Sequence, residues 1–180
     1  MLAKKTIFII PGYRHGPNNK SYQSLAKLFT LEGYDPIVVS IPWKKSTISE
    51  NTDYFLQEYK KIKRKKKYVL GFSFGAMIAF LASTKVDVSG LILCSLSPYF
   101  QEDLPSSSLH SGTLAKKIKA KQIRMLYGSK EDRSLIRRVT ETFGQISSND
   151  KYLFPVKAAD HNIGDKRYLQ TIHQVSRLLN

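Results

Sequence analysis

The sequence is poor in cysteine and has no long apolar run. Its one cysteine, Cys94, excludes an internal disulfide, and its place in the apolar run at residues 91–94 predicts a buried thiol rather than a redox site. No apolar run is long enough to span a membrane, and residues 1–5 are too short and too charged to be a secretory signal. We therefore expect a cytoplasmic protein without a transmembrane segment.

Acidic residues are also scarce, at 14 against 29 lysines and arginines, and the formal net charge is +15. Such a charge attracts anionic substrates, nucleic acid or acidic membrane surfaces without choosing among them. Many of the basic residues lie in residues 60–67, between a predicted helix and a predicted strand. Basic side chains complement the dipole at a helix C-terminus. We favour this interpretation over a nucleic-acid site, because aromatic residues do not interleave with the lysines.

Short apolar runs bounded by turn residues alternate with segments of helical period, which is typical of a parallel sheet flanked by helices. The predicted helices are residues 21–31, 52–62, 76–83, 134–143 and 166–179, and the predicted strands are residues 6–10, 36–41, 68–71, 90–95, 122–127 and 152–156. Six strands and their crossovers leave no room for a second domain. The sequence predicts one α/β domain over residues 1–180, a three-layer sandwich whose mostly parallel six-stranded sheet has helices on both faces.

The longest stretch between predicted strands is residues 97–121. It contains one weak helical piece, at residues 113–118, so any lid over a site is small. Leu104, Leu109 and Leu114 are its candidate lining residues, which indicates an open site for a small or flexible acyl chain.

The most informative motif is G-x-S-x-G at residues 71–75, between an apolar strand and a helix of small residues. A serine at such a turn is held in a strained conformation, and the glycines on either side let neighbouring backbone pass without a clash. The turn presents the Ser73 hydroxyl at the carboxyl edge of the sheet, where open α/β folds bind ligands. Because the motif also occurs by chance, an ordinary strand-to-helix turn is the alternative.

In this context the sequence resembles the α/β-hydrolase superfamily over nearly the whole chain, and most of all its compact members without a cap domain. The resemblance implies a minimal α/β-hydrolase fold and a serine, an acid and a histidine in that chain order. His161, between the last strand and the last helix, matches the position of the family's catalytic histidine, and a solvated loop histidine is the alternative. His15 and His110 precede every candidate acid, and His173 lies within the last predicted helix.

The acid is expected after the fifth strand, where Glu131 and Asp132 are adjacent. Family loops often place the acid three residues after a glycine, here Gly128, which favours Glu131. Aspartate is the commoner residue type, and a turn longer by one residue would select Asp132. We predict Asp132 and keep Glu131 as the alternative; the other carboxylate would then cap the following helix or lie in its first turn.

The resemblance also implies an oxyanion hole that includes the backbone N–H of Phe74. The family commonly has His-Gly-x after the first strand present here, and this chain has Pro-Gly-Tyr at residues 11–13. The N–H of Tyr13 is therefore the expected second donor. Arg14 and His15 lie nearby and are candidate pocket residues, with a plain turn as the alternative.

Together these residues predict a serine hydrolase that cleaves a carboxylic ester or thioester through an acyl-enzyme intermediate, with Ser73, Asp132 and His161 as its triad. A small acyl molecule is the expected substrate, and no metal or organic cofactor is implied. The sequence does not choose between ester, thioester and amide, or fix the oligomeric state. A scaffold that binds without turnover is one alternative, and a basic protein that binds nucleic acid or anionic surfaces is another.

Overall fold

The computed structural model describes residues 5–43, 47–96 and 113–179. Six strands form one sheet in the order β2-β1-β3-β4-β5-β6, and all neighbouring strands pair in parallel. The predicted six-stranded parallel sheet is therefore confirmed. The strands are β1 (Lys5–Ile10), β2 (Tyr34–Val38), β3 (Lys67–Phe72), β4 (Val88–Cys94), β5 (Ala120–Gly128) and β6 (Lys151–Val156).

Helices cover both faces of this sheet, as the sequence predicts. In the described part of the chain they are α1 (Lys20–Leu31), α2 (Ile48–Lys61), α3 (Phe74–Ser83), α4 (Thr113–Lys116), α5 (Arg133–Gln145) and α6 (Lys166–Ser176). The buried side chains of α1 and α6 pack on one face, and those of α2, α3 and α5 pack on the other. Successive strand residues point to opposite faces, so each strand contributes to both cores. None of these helices is long and apolar enough to cross a membrane.

Two elements have ends that the hydrophobic pattern does not show. α2 begins at Ile48 rather than at residue 52, because Thr47 and Glu50 form a capping box. The Thr47 hydroxyl accepts from the Glu50 N–H at 3.1 Å, and the Glu50 carboxylate accepts from the Thr47 N–H at 2.7 Å. β2 begins at Tyr34 and ends at Val38 rather than spanning residues 36–41. It is an edge strand, where a proline such as its Pro36 is tolerated.

The basic segment at residues 60–67 is used in part by the fold itself. Lys67 Nζ donates to two carbonyl oxygens at the C-terminal end of α2, at 3.1 and 3.0 Å. Arg64 Nη1 lies 2.6 Å from a carboxylate oxygen of Asp35 at the edge strand. The Lys67 contacts support the interpretation that basic residues stabilise the C-terminal end of the helix, and the Arg64 contact joins the same segment to β2.

Arg124 is a buried charged residue of β5. Its Nη1 donates to the Asp150 carboxylate at 2.8 Å, and its Nη2 donates to the carbonyl oxygen of Leu178 at 3.0 Å. The guanidinium thus joins β5 to the turn before β6 and to the segment after α6. A buried cation needs such partners because an uncompensated one costs several kcal/mol.

Asp150 makes the stability of this region dependent on pH. Hydrogen bonds from Gln122 and Arg124 lower the pKa of its carboxyl. A carboxyl whose pKa is lower in the folded chain stabilises the fold above its unfolded pKa, and this stabilisation is lost as the pH falls through the folded pKa. We expect Asp150→Asn to lower the free energy of unfolding at neutral pH by less than about 1 kcal/mol. The carboxylate is 41% exposed and is screened by solvent, and Arg124 keeps its carbonyl acceptors and the amide oxygen of the asparagine.

Urea unfolding at neutral pH and at about pH 3, below the usual pKa of an aspartate, tests this expectation. Asp150→Asn should lose less stability on acidification than the parent does. Asp53→Asn is the control, because Asp53 pairs with Lys85 at the exposed surface, 2.9 Å apart and away from Arg124. Equal acid dependence in the parent and in Asp150→Asn would contradict the prediction.

Candidate active site

Ser73 lies at the turn between β3 and α3, in a conformation that few residues adopt. Its φ is 56° and its ψ is −120°, a strained region that costs about 1–3 kcal/mol for a residue with a side chain. The Ser73 N–H donates to the carbonyl oxygen of Cys94 at 2.9 Å, and its own carbonyl accepts from the Met77 N–H at 3.2 Å. Bonds to β4 and α3 therefore hold the strained turn in place. The Ser73 hydroxyl does not cap the helix.

Two glycines make this turn sterically possible. A Cβ on Gly71 would lie 2.2 Å from the carbonyl oxygen of Gly75, and a Cβ on Gly75 would lie 2.2 Å from the carbonyl oxygen of Ile10. Both obstacles are backbone atoms, which cannot rotate away as a side chain can. Gly71 and Gly75 are therefore each required because another part of the backbone lies where a side chain would be.

His161 follows β6 and brings its imidazole to Ser73. Nε2 of His161 lies 2.9 Å from Oγ of Ser73, within hydrogen-bonding distance. The imidazole also packs against Phe72, with ring centroids 5.0 Å apart. A ring nitrogen of His161 therefore faces the serine of the motif, although 88 residues of sequence separate the two.

The carboxylate that faces His161 belongs to Glu131, so the prediction that Asp132 fills this place is wrong. Glu131 Oε1 lies 3.6 Å from Nδ1 of His161, a distance longer than that of a hydrogen bond. Asp132 is instead the N-cap of α5 and accepts from the Ser134 N–H at 2.8 Å. Hydrogen bonds from Ser134 lower the pKa of Asp132.

The tight turn after β5 decides between the two acids. The Glu131 N–H donates to the carbonyl oxygen of Gly128 at 3.0 Å, which closes a four-residue turn. This closure leaves the Glu131 side chain buried and places Asp132 at the exposed start of α5. The alternative kept for Glu131, three residues after the glycine, is therefore the one that matches the geometry.

Gly128 also brings the acid and the histidine loops together. A Cβ on Gly128 would lie 2.5 Å from the carbonyl oxygen of Ala159 and 2.7 Å from that of Asp160. The Lys130 N–H donates to the same Ala159 carbonyl at 2.8 Å. The backbones before Glu131 and before His161 are thus in direct contact, which fixes the distance between their side chains.

Two hydroxyl groups bind the Glu131 oxygen that also faces His161. Its Oε1 accepts from Oγ of Ser95 at 2.5 Å and from Oη of Tyr168 at 2.9 Å, and these two hydroxyls also contact each other. Burial and the neighbouring carboxylate raise the pKa of Tyr168, so this phenol keeps its proton and donates it. Ser95 has a positive φ of 50° at the end of β4. These contacts orient a fully buried carboxylate towards the imidazole.

A turn after β1 lies near Ser73 and lines the same cavity. The His15 N–H donates to the carbonyl oxygen of Gly12 at 3.0 Å, with Arg14 at a positive φ of 59° inside the turn. The Tyr13 ring lies 5.3 Å from the Phe74 ring, measured between centroids. The two residues expected to supply oxyanion donors, Tyr13 and Phe74, are therefore neighbours in the structure.

A cavity of about 520 Å³ opens over this arrangement. Of the three leucines expected to line it, Leu104 and Leu109 lie outside the described residues, and Leu114 packs against the core of the α2 face instead. Aromatic and polar residues share the lining, which comprises Gly12, Tyr13, His15, Phe72, Ser73, Phe74, Glu131, Asp132, Ser134, Leu135 and His161. The described residues contain no group of three or more histidine, cysteine or acidic side chains placed to hold a metal ion.

Comparisons with known proteins rest on structure alone. No protein-family model matches the sequence, and no curated protein matches it significantly. Alpha/beta hydrolase domain-containing protein 10 from mouse superposes with a TM-score of 0.76 over 96% of this chain and 88% of its own, at 16% identity. Dienelactone hydrolase from Anabaena variabilis gives a TM-score of 0.77 over 98% and 85% of the two chains, at 12% identity. The chain has the α/β-hydrolase fold.

A third structure with the α/β-hydrolase fold, the monoacylglycerol lipase of Paleococcus ferrophilus, has a TM-score of 0.76, covers 95% of this chain and 91% of its own, and is 13% identical. In this chain, all six parallel strands have their carboxyl ends at the same edge of the sheet. Ser73 follows β3, Glu131 follows β5 and His161 follows β6, so three distant segments meet at that edge.

Reasoning from the sequence did not find Ser95 and Tyr168. Ser95 directly follows β4, and a polar residue at the carboxyl end of a predicted strand is a signal that could have been used. Tyr168 lies inside α6, where its buried face looks like that of any core aromatic. Nothing local distinguishes it.

Proposed function

We propose that this chain is a serine hydrolase that cleaves a carboxylic ester or thioester through an acyl-enzyme on Ser73. The observation that carries the proposal is the 2.9 Å contact between Oγ of Ser73 and Nε2 of His161, on a strained turn at the mouth of a cavity. His161 is the proposed base and Glu131 the proposed orienting carboxylate.

In the proposed reaction, His161 takes a proton from each nucleophile and returns it to each leaving group. Oγ of Ser73 attacks the carbonyl carbon while its proton moves to Nε2 of His161, and a tetrahedral oxyanion forms. His161 then gives this proton to the leaving oxygen or sulfur, which departs and leaves the acyl group on Ser73. Water attacks the acyl carbon, loses a proton to His161, and the collapse returns that proton to Oγ as the acid is released.

Glu131 acts in this scheme through the imidazole. Nε2 can accept a proton only if Nδ1 carries the other one, and a carboxylate beside Nδ1 favours that tautomer. The imidazolium that forms during the reaction is stabilised by the same negative charge. We expect the 3.6 Å separation between Glu131 Oε1 and His161 Nδ1 to shorten when a substrate binds, because catalytic hydrogen bonds are often long in a ligand-free site.

The proposed oxyanion donors are the N–H groups of Tyr13 and Phe74. Phe74 is the first residue of α3, so the helix dipole adds to the positive potential at that point. The Tyr13 ring contacts both the Trp43 ring and the Phe74 ring beside this place. An apolar wall strengthens hydrogen bonds to a developing charge because it excludes water.

Esters and thioesters are the proposed substrates because oxygen and sulfur are better leaving groups than an amide nitrogen, whose departure depends more strongly on protonation by His161. The names of two solved structures with this fold, a monoacylglycerol lipase and a dienelactone hydrolase, accord with ester chemistry. The mixed aromatic and polar lining fits a small acyl group.

A fluorophosphonate probe tests the nucleophile without knowledge of the substrate. We expect the parent to form one covalent adduct, mapped by mass spectrometry to Ser73, and Ser73→Ala to form none. Ser134→Ala is the matched control, because Ser134 lines the same cavity. Its labelling should equal that of the parent.

Two outcomes would contradict the proposal. Labelling of Ser73→Ala to the parent's extent would remove Ser73 from the mechanism. A folded parent that neither labels nor hydrolyses p-nitrophenyl esters would instead favour a scaffold that binds without turnover.

A further inference from the structure

His15 is fixed at the rim of the cavity by three hydrogen bonds, although the proposed hydrolysis does not use it. Its N–H donates to the Gly12 carbonyl at 3.0 Å, and its carbonyl oxygen accepts from the indole N–H of Trp43 at 3.2 Å. Its Nδ1 lies 3.2 Å from Oη of Tyr22. The residue lines the same cavity as Ser73. These hydrogen bonds fix both the backbone and the ring of His15, so its side chain is already ordered for contact with a bound molecule.

The Tyr22 hydroxyl determines which ring nitrogen of His15 carries the proton. Tyr22 is fully buried, and its Oη accepts from the Gly12 N–H at 2.8 Å. Burial raises the pKa of Tyr22, so the phenol keeps its proton. Among the described residues, Nδ1 of His15 is the one acceptor within reach of that proton. Leaving a buried hydroxyl without an acceptor costs about 1–3 kcal/mol, so Tyr22 donates to Nδ1.

This assignment leaves His15 with its own proton on Nε2. A neutral imidazole that accepts at Nδ1 is a donor at Nε2. The rest of the cavity wall near this residue is largely aromatic, with Tyr13, Phe72 and Phe74. With this tautomer, His15 brings a hydrogen-bond donor, its Nε2–H, to a part of the lining that is otherwise aromatic.

We propose that His15 is a substrate-binding residue, held by Tyr22, whose Nε2–H donates to an acceptor oxygen that the ester carries in addition to its scissile carboxyl group. The inference rests on the proposed hydrolase function and deepens it. The substrate class is an oxygenated ester, with an ether, keto or hydroxyl oxygen in its acyl or alcohol part. A donor built into a site disfavours analogues that lack the matching acceptor, because it then loses its partner.

The first experiment measures the tautomer directly. Long-range proton–nitrogen NMR correlations distinguish Nε2–H from Nδ1–H imidazoles, and His15→Gln assigns the signal. We expect the Nε2–H form in the parent and a shift towards the Nδ1–H form in Tyr22→Phe, which lacks the donating hydroxyl. An Nδ1–H form of His15 in the neutral parent would overturn the inference.

The second experiment measures selectivity with two pairs of esters that differ by one ether oxygen in place of a methylene. One pair varies the acyl part, p-nitrophenyl β-methoxypropanoate against p-nitrophenyl pentanoate, and the other varies the alcohol, methoxyethyl acetate against butyl acetate. The ratio of kcat/KM within a pair, compared between parent and variant, cancels intrinsic reactivity. In at least one pair, His15→Phe should lower the preference for the ether about tenfold, the loss of one neutral hydrogen bond. His15→Gln keeps an N–H donor and should retain most of the preference.

An unchanged ratio in His15→Phe for both pairs would overturn the inference. Fluorophosphonate labelling of the same samples separates this failure from a failure of the proposed function. If Ser73 labels while the ratios stay constant, the hydrolase proposal stands and the role of His15 fails. If the parent does not label, the proposed function itself fails.

Discussion

Replacement of Glu131 by glutamine is expected to lower kcat about 10⁴-fold, whereas Asp132→Asn should leave kcat close to that of the parent. The amide of glutamine can donate to Nδ1 of His161 and stabilise the tautomer that is protonated on Nε2. Nε2 then has no lone pair to accept the Ser73 proton. The substitution also removes the negative charge that balances the imidazolium. Asp132 should not affect the imidazole of His161, because its carboxylate is hydrogen-bonded to Ser134 at the start of α5.

Steady-state hydrolysis of a p-nitrophenyl ester gives kcat for the parent and for both variants. Asp132→Asn is a matched control, since it makes the same chemical change one residue away and asparagine is also a good N-cap. Thermal unfolding should therefore change little in Asp132→Asn. A large loss of kcat in Asp132→Asn, with full activity in Glu131→Gln, would restore Asp132 as the acid and contradict the assignment made from the geometry.

Gly75→Ala is expected to lower the free energy of unfolding by about 3 kcal/mol and to abolish labelling of Ser73. The added methyl group would lie 2.2 Å from the Ile10 carbonyl oxygen and 2.4 Å from that of Pro11. Both atoms are backbone, so relief requires β1 and α3 to move apart. That movement displaces Phe74, whose N–H is a proposed oxyanion donor, along with the loop that carries Tyr13.

Gly144→Ala makes the same substitution where there is space. Gly144 lies in α5, and nothing lies within 4 Å of a Cβ built there. Alanine favours a helix more than glycine does, so this control should gain up to about 1 kcal/mol and keep full labelling. Urea unfolding compares the two proteins. A Gly75→Ala protein as stable as the parent would contradict the steric account of the turn.

The order and type of the elements could be predicted from the sequence because each strand is a short apolar run closed by a turn residue. A parallel sheet buries both faces, so its strands have this continuous pattern. The ends were harder to predict, since α2 begins at a capping box of two polar residues and not at its first apolar position. Hydrophobic periodicity does not register polar caps.

The serine and the histidine were expected in the site because a motif and a chain order point to them. The carboxylate beside the histidine was assigned to the wrong one of two adjacent residues. Glu131 and Asp132 differ only in where a turn of four residues closes, and that closure depends on the contact of Gly128 with the loop before His161. A contact between loops of different strands leaves no local trace in the sequence.

The positioning groups were missed for the same reason. Tyr22 and Tyr168 are buried aromatic residues in α1 and α6, and each has the helical spacing of an ordinary core residue. Their hydroxyl groups reach His15 and Glu131 only after both helices have packed on the sheet. Sequence patterns show which face of a helix is buried, and they do not show which atom its tyrosine meets.

The chemistry proposed for this protein is assembled in the order in which the chain is synthesised. Ser73 is synthesised first, and Glu131 follows more than fifty residues later. His161 comes last, in the loop that follows the sixth strand. A ribosome-bound chain that has formed only α3 and the first four strands therefore carries the strained serine without the imidazole that would take its proton. Reactivity towards a serine-directed probe would then report on completion of the whole sheet rather than on the local turn.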